Sequence, residues 1–216
     1  MNARLISLNV GRPRPLRLGE RLVSSAIVKT PVAGPLPLGP AGLAGDAQAD
    51  LANHGGPDKA VCVYAAEHLA DWSRHLGRPL EPGAFGENFT VTGLLEADVC
   101  IGDVYRVGGA LLQVTQPRLP CVKLAARHGA PDFVRRVYAS GRTGFYLRCL
   151  EPGSVQAGDP ITRVARPPDP VALPDALRAL DADDPDLLRR LLAQPGLSAA
   201  WQHRLRQRLA EQPAGR

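Results

Sequence analysis

The densest chemistry in the chain lies in one decapeptide, Thr115-Gln116-Pro117-Arg118-Leu119-Pro120-Cys121-Val122-Lys123-Leu124. Two prolines bracket Arg118 and stiffen the backbone beside it, because each ring locks φ and restricts the preceding residue. The apolar run 110–114 ahead of it reads as a strand, and 122–127, free of Gly and Pro, can start a helix. Cys121 therefore stands at the exit of a rigid strand-to-helix corner. A thiol at a helix N-terminus, with Arg118 and Lys123 nearby, is held where its thiolate is favoured. Thiolates are nucleophiles and ligands for soft metals. The position equally suits a buried structural cysteine, since free Cys is among the most buried residue types.

Two further stretches carry chemical potential. In His54-Gly55-Gly56-Pro57-Asp58-Lys59 the paired glycines let the backbone approach a ligand and expose amide donors. Lys59, where the loop re-enters a strand, can pair with a phosphate. The plain alternative is a tight turn with an exposed histidine. In Gly83-Ala84-Phe85-Gly86-Glu87-Asn88 the Asn88 amide suits a polar heterocycle and Glu87 can hold a neighbouring Lys or Arg. The alternative there is a loop whose Asn and Glu make local turn bonds. His68, His75, His128 and His203 have no companion at metal-ligand spacing and read as surface or local-contact residues. Asp98 and Asp103 read as turn residues, and Trp72 and Trp201 as core.

These stretches must be positioned by many short elements. Runs at 5–10 and 24–30 read as strands joined by an Arg/Pro-rich turn at 12–17. Repeated Pro and Gly over 31–45 exclude a helix and suit turns and a bent edge strand. Strands follow at 60–64, 89–91, 144–150 and 160–165, with a hairpin of 99–107 and 110–115 turned at Gly108-Gly109. Helices fit 67–76 and 132–139. The pattern predicts a mainly β fold, a closed or nearly closed barrel over 1–165 with helical insertions. Four prolines mark 166–174 as a linker, and three helices are expected over 175–212. Asp184-Pro185 starts the second of these as N-cap and N1, and Ser198 caps the third.

Composition narrows the function. Hydrophobic residues make up 44%, enough for a sizeable core, while aromatics at 5% argue against a base-stacking platform. The net charge of +5 suits an anionic ligand but is too dispersed for DNA or RNA, so no nucleic-acid partner is expected. Arginine supplies most of the basic charge, because the only lysines are Lys29, Lys59 and Lys123. The four cysteines form no CxxC pair, which disfavours a zinc ribbon or thioredoxin-like site. The start lacks the apolar core of a signal peptide and no run reaches membrane-spanning length, so a cytoplasmic chain without a membrane partner is expected.

Taken together, LAGDAQAD, NHGGPDKAVCVY, FGENF, the run from Ile101 to Leu124 and DADDPDLLRRLLAQPGLSAAW resemble the MOSC family, named for the molybdenum cofactor sulfurase C-terminal domain. The resemblance covers nearly the whole chain, in order. It is closest to the stand-alone bacterial branch that ends in three helices and includes hydroxylaminopurine reductases. It implies a MOSC β-barrel, with 175–212 as a small three-helix domain, that binds molybdenum cofactor (Mo-molybdopterin); pyridoxal phosphate is not expected. Cys121 matches the metal-ligating cysteine. Arg118, Gly55, Asp58, Lys59 and Asn88 match cofactor-binding positions, and His54 a catalytic one. Arg12 stands where relatives show Lys, which keeps the charge and changes the geometry.

The resemblance implies an oxidoreductase that reduces N-hydroxylated compounds to amines with electrons from an external flavoprotein. The chain shows no dinucleotide fingerprint and no iron–sulfur cysteine set. The three-helix tail suits docking or a homodimer surface. Two rivals stand beside this reading: a non-catalytic carrier of the cofactor or of a persulfide on Cys121, and a thiol enzyme with Cys121 as nucleophile and His54 as base.

Overall fold

The computed structural model describes residues 3–51 and 55–211. In chain order the strands are β1 (Arg4–Val10), β2 (Arg14–Leu18), β3 (Arg21–Ser25), β4 (Thr30–Val32), β5 (Leu36–Gly39), β6 (Gly42–Leu43), β7 (Val61–Ala65), β8 (Phe89–Thr92), β9 (Val104–Val107), β10 (Ala110–Pro117), β11 (Phe145–Glu151), β12 (Gly153–Val155) and β13 (Ile161–Ala165). The helices are α1 (Leu69–Leu76), α2 (Val122–His128), α3 (Phe133–Ser140), α4 (Leu173–Arg178), α5 (Pro185–Leu192) and α6 (Ala199–Glu211).

Eight strands form one mixed sheet in the order β13-β9-β10-β11-β7-β8-β1-β4. Among the described residues only β7 and β8 pair in parallel, which requires the crossover that carries α1. The sheet curls until β1, next to the β4 edge, meets the segment leading into β13. Arg4 bridges Pro160, Leu5 donates to Asp159 O at 3.0 Å and Gly158 donates to Leu5 O at 2.7 Å. Inside the curl lie Leu5, Leu8, Val61, Val63, Phe89, Leu112 and Val114, all buried.

A second, aromatic layer covers the outer face of β7. Tyr64 stacks on Phe85 with centroids 3.8 Å apart, and Trp72 meets Phe133 edge-on at 5.3 Å. With both faces covered, β7 is buried at every residue and reads as a continuous apolar run. Leu124 joins this layer, so the helix that begins after Cys121 is anchored by its third residue.

The three C-terminal helices pack onto the sheet. Leu188, Leu191, Trp201 and Leu205 belong to the same apolar cluster as Leu112 and Val114. Asp184 caps α5 as expected, accepting from Leu187 N at 2.9 Å, and Ser198 Oγ accepts from Trp201 N at 3.2 Å. The Pro-rich 166–174 segment is pinned along its length. Arg166 holds buried Asp103 at 2.6 Å, and Val171 O accepts from Ile101 N at 2.9 Å.

Several expectations are corrected. The run 24–30 is not one strand, because β3 ends at Ser25 and Ser25 Oγ takes the Ile27 amide at 3.2 Å. The 12–17 stretch is not a turn: Arg14–Leu18 is a strand paired only with β3, where Pro15 interrupts no sheet ladder beyond. Residues 99–103 stay outside β9, since Asp103 turns back to accept from Cys100 N at 2.9 Å. Of the two readings given for His68, surface or local contact, the contact holds: it is buried, with Nε2 2.8 Å from Glu96 Oε2.

Candidate functional site

The strand-to-helix corner opens onto a small cleft, about 80 Å³ in volume, between the curled sheet and the helical layer. Its inner wall is Arg118, which is only 5% exposed. The backbone N–H of Arg118 donates to Gly144 O at 2.9 Å, fixing the corner to the start of β11. Its Nη2 donates to Phe85 O at 2.8 Å, while Nη1 is buried and has no hydrogen-bond partner among the described residues. An unpartnered buried guanidinium nitrogen is costly unless a ligand takes it up.

Opposite stands a buried ion pair. Lys29 Nζ lies 2.5 Å from Asp46 Oδ1, and that oxygen also accepts from Gly11 N at 2.8 Å. Asp46 Oδ2 accepts from Asn88 Nδ2 at 2.8 Å. Asn88 is further fixed by accepting from Cys62 N at 3.1 Å and donating to Asn9 O at 3.2 Å. Glu87 serves the loop itself rather than a neighbouring cation. It takes the amides of Gly83 at 2.6 Å and Phe85 at 2.8 Å, and the Thr90 hydroxyl at 2.8 Å. Burial raises its pKa against those bonds.

Cys121 is half-buried and precedes α2, with backbone φ −121 and ψ 167. It lines the cleft beside Cys62 and Tyr146. Burial pushes the Cys62 thiol up to about 11 and raises the Tyr146 hydroxyl well above its ordinary range, so both stay protonated near neutrality. Burial lowers the Lys59 ammonium, with Asp58 and Asp50 opposing. Lys123 reaches Asp50 at 3.4 Å.

A second, more open groove adjoins the cleft and shares Asp50, Lys59, Cys121, Lys123 and Tyr146 with it. Its far wall is α6, through Ala200, Trp201 and Arg204. Asp58 ties that helix down: Oδ2 accepts from Ala199 N at 2.9 Å and Oδ1 pairs with Arg148 at 2.7 Å. Arg148 also donates to Gly196 O at 2.8 Å, and Ser198 Oγ donates to Gln116 Oε1 at 2.7 Å. One carboxylate thus links the loop before Lys59 to the helix that walls the groove.

Of the residues singled out by sequence, Cys121, Lys59, Asn88 and Arg118 line the cleft. Asp58 does not: its carboxylate is occupied by Ala199 and Arg148. Gly55 lies off the lining, and an added Cβ would meet Leu51 Cα at 2.8 Å, so close backbone packing accounts for it. Arg12 is exposed and away from the lining, and His54 falls outside the described residues. Lys29, Asp46, Cys62 and Tyr146 had no assigned role in the sequence reading. One signal for Lys29 was present: in a chain that otherwise uses arginine, all three lysines line this cleft.

The MOSC domain profile matches residues 50–162. YflK of Bacillus subtilis (strain 168) is 45% identical over 199 residues, covering 91% of this chain and 90% of YflK. A protein of Gibberella moniliformis named Reductase is 37% identical over 169 residues, 76% of this chain but 29% of that protein. The crystal structure of YiiM from Geobacillus stearothermophilus superposes with a TM-score of 0.82 at 38% identity, covering 96% of this chain and 99% of that one. The fold, the order of its motifs and these relatives agree: this chain belongs to the MOSC domain family.

Proposed function

We propose that the chain is a molybdenum-cofactor-dependent oxidoreductase that reduces N-hydroxylated compounds, hydroxylaminopurine-type bases among them, to amines. The observation that carries the reading is Arg118, whose buried Nη1 has no hydrogen-bond partner among the described residues, in a cleft also lined by Cys121 and every lysine of the chain. That donor set fits an anionic, sulfur-rich metal cofactor: a thiol for a soft metal, and cations for a phosphate. The Reductase relative supports redox chemistry.

When bound, the cofactor supplies a two-electron redox centre that can accept an oxygen atom. Cys121 would provide the protein's ligand to the metal. Arg118, Lys59 and Lys123 would hold the cofactor's negative charge, and the Lys29–Asp46 pair keeps the opposite wall in place. The outer groove would take the substrate, with Trp201 and Arg204 on its far side. Tyr146, protonated and common to both compartments, can donate a hydrogen bond to the departing oxygen. His54, five positions before Lys59 in the sequence, is the proposed acid–base group. Overall R–NHOH takes up two electrons and two protons and gives R–NH2 and water; the electrons come from an external flavoprotein.

The test is turnover of 6-hydroxylaminopurine to adenine by cofactor-loaded protein with dithionite-reduced methyl viologen. Formation of adenine that depends on Cys121 supports the reading. No turnover with a protein shown to carry molybdenum sinks it.

A further inference from the structure

The two-stranded ribbon of β2 and β3 rises from the rim of the cleft. At its base Arg14 pairs in register with Ser25, which lines the cleft. At its tip Gly19, with φ 60, takes the first central position of a two-residue turn, the type II′ arrangement. Leu16, Leu18 and Val23 are half-buried, and α2 packs against β2. A lone ribbon is marginal in water, so α2 is its support. The opposite face presents Arg17 across from Leu22, and Leu22 is 67% exposed.

The ribbon's charge has one sign. Arg12, Arg14, Arg17 and Arg21 fall within ten residues, with Glu20 the only acid between them. Among the described residues none of these arginines has an ion-pair partner, whereas Arg74, Arg136, Arg142, Arg166, Arg178 and Arg190 each face an aspartate. Arg78, exposed beside α2, extends the patch, while the half-buried Arg127 guanidinium turns inward to donate to Ile27 O and Gly83 O. Arg78 Nη2 lies 2.6 Å from His128 Nδ1. Burial, aided by Arg14 and Arg78, pulls the Arg127 guanidinium down to about 10. Protection of a ribbon edge against strand pairing would need charge, but neither a single sign nor an exposed leucine. The ribbon has no aromatic on which a nucleic-acid base could stack.

We propose that this ribbon and the adjoining face of α2 dock an acidic electron-donor protein carrying a reduced flavin, which delivers electrons to the site at Cys121. The inference rests on the reductase reading above. The flavin hydroquinone loses two electrons and two protons; R–NHOH gains them, its N–O bond breaks, and the oxygen leaves as water. The geometry suits the task, because α2 runs seven residues from Cys121, about 10 Å at 1.5 Å per residue. Transient electron-transfer encounters use small interfaces and gain their rate from complementary charge.

The test uses flavodoxin, a small acidic FMN protein, as the probe. Binding is measured by interferometry with and without cofactor, and turnover is measured with cofactor-loaded protein. Arg17→Glu/Arg21→Glu is expected to weaken binding at low salt by about tenfold or more, with the difference shrinking as salt screens the charges. Flavodoxin-driven turnover should fall by the same factor, while viologen-driven turnover stays unchanged. Arg17→Gln/Arg21→Gln, which keeps the ribbon without reversing its charge, should give the same pattern more weakly. Equal flavodoxin binding by wild type and variant, no flavodoxin binding at all, or preferred binding of an oligonucleotide that the variant loses would each overturn the proposal. Failure of viologen-driven turnover in the wild type would instead count against the reductase reading.

Discussion

Lys29 and Asp46 meet as a buried ion pair, Nζ to Oδ1 2.5 Å, and Asp46 is held from its other side by the Asn88 amide at 2.8 Å. Through these contacts the irregular segment after β3, the turn after β6 and the loop before β8 become one wall of the cleft. Removing one partner of a buried pair strands the other charge, which costs about 3–5 kcal/mol. Lys29→Met should lower the urea-unfolding free energy by that amount. A loss under about 1 kcal/mol would mean the wall does not depend on the pair.

The cysteines should separate by exposure. Cys62 is buried at the inner wall of the cleft and its thiol is pushed up to about 11, while Cys121 is half-buried and lines both compartments. Alkylation of cofactor-free protein at neutral pH, followed by peptide mapping, should modify Cys121 well before Cys62. Cys62 should react only on unfolding or in strong alkali. Equal labelling of the two would contradict the burial described here.

Stability should fall in mild acid because of His128. Its Nε2 lies 2.9 Å from Ala84 O, its ring packs on Phe133, and burial lowers its pKa from 6.5 to about 4, with Arg127 and Arg78 adding to the shift. The unfolded chain takes up the proton below 6.5 and the folded chain resists until about 4. The contribution is therefore present above 6.5 and lost as pH falls toward 4. Discounted for partial exposure, the expected loss is about 1–2 kcal/mol. His128→Gln should flatten the pH 7 to pH 5 difference in unfolding free energy; an unchanged slope would assign it to other groups.

Asp58 should act on the groove at a distance. Asp58→Ala strands Arg148 and frees the first amide of α6, at a cost of about 1–3 kcal/mol. Hydrogen exchange at 199–205 should accelerate while the amides of α2 remain protected. Acceleration confined to the loop around residue 58 would show that α6 is held by its apolar face alone.

Some of this was legible in the residues. The strand-to-helix corner could be read locally, because two prolines and a cysteine set it within a few positions. The caps of α5 and α6 were equally local. Lys29 was not legible as a site residue, since its partner lies in another irregular segment and no periodicity joins them. Asp58 was assigned to the cofactor through its match to the family's loop motif, and its carboxylate is turned to a helix 141 positions away. The strand at Arg14–Leu18 escaped notice because Pro15 is costly in a sheet but tolerated in a ribbon exposed on both edges. The four prolines of 166–174 marked a linker, but its anchoring by Arg166 to buried Asp103, 63 positions away, could not be read from them.

The most direct test of the central claim is molybdenum and pterin content per chain, after purification from a host that makes the cofactor. Wild type should carry both in about equal amount, Cys121→Ala should lose most of the metal, and Arg118→Met should lose most of the pterin while its cofactor-free form melts close to wild type. A Cys121→Ala variant that retains full metal, or a wild type that carries a persulfide on Cys121 and no molybdenum, would contradict the account.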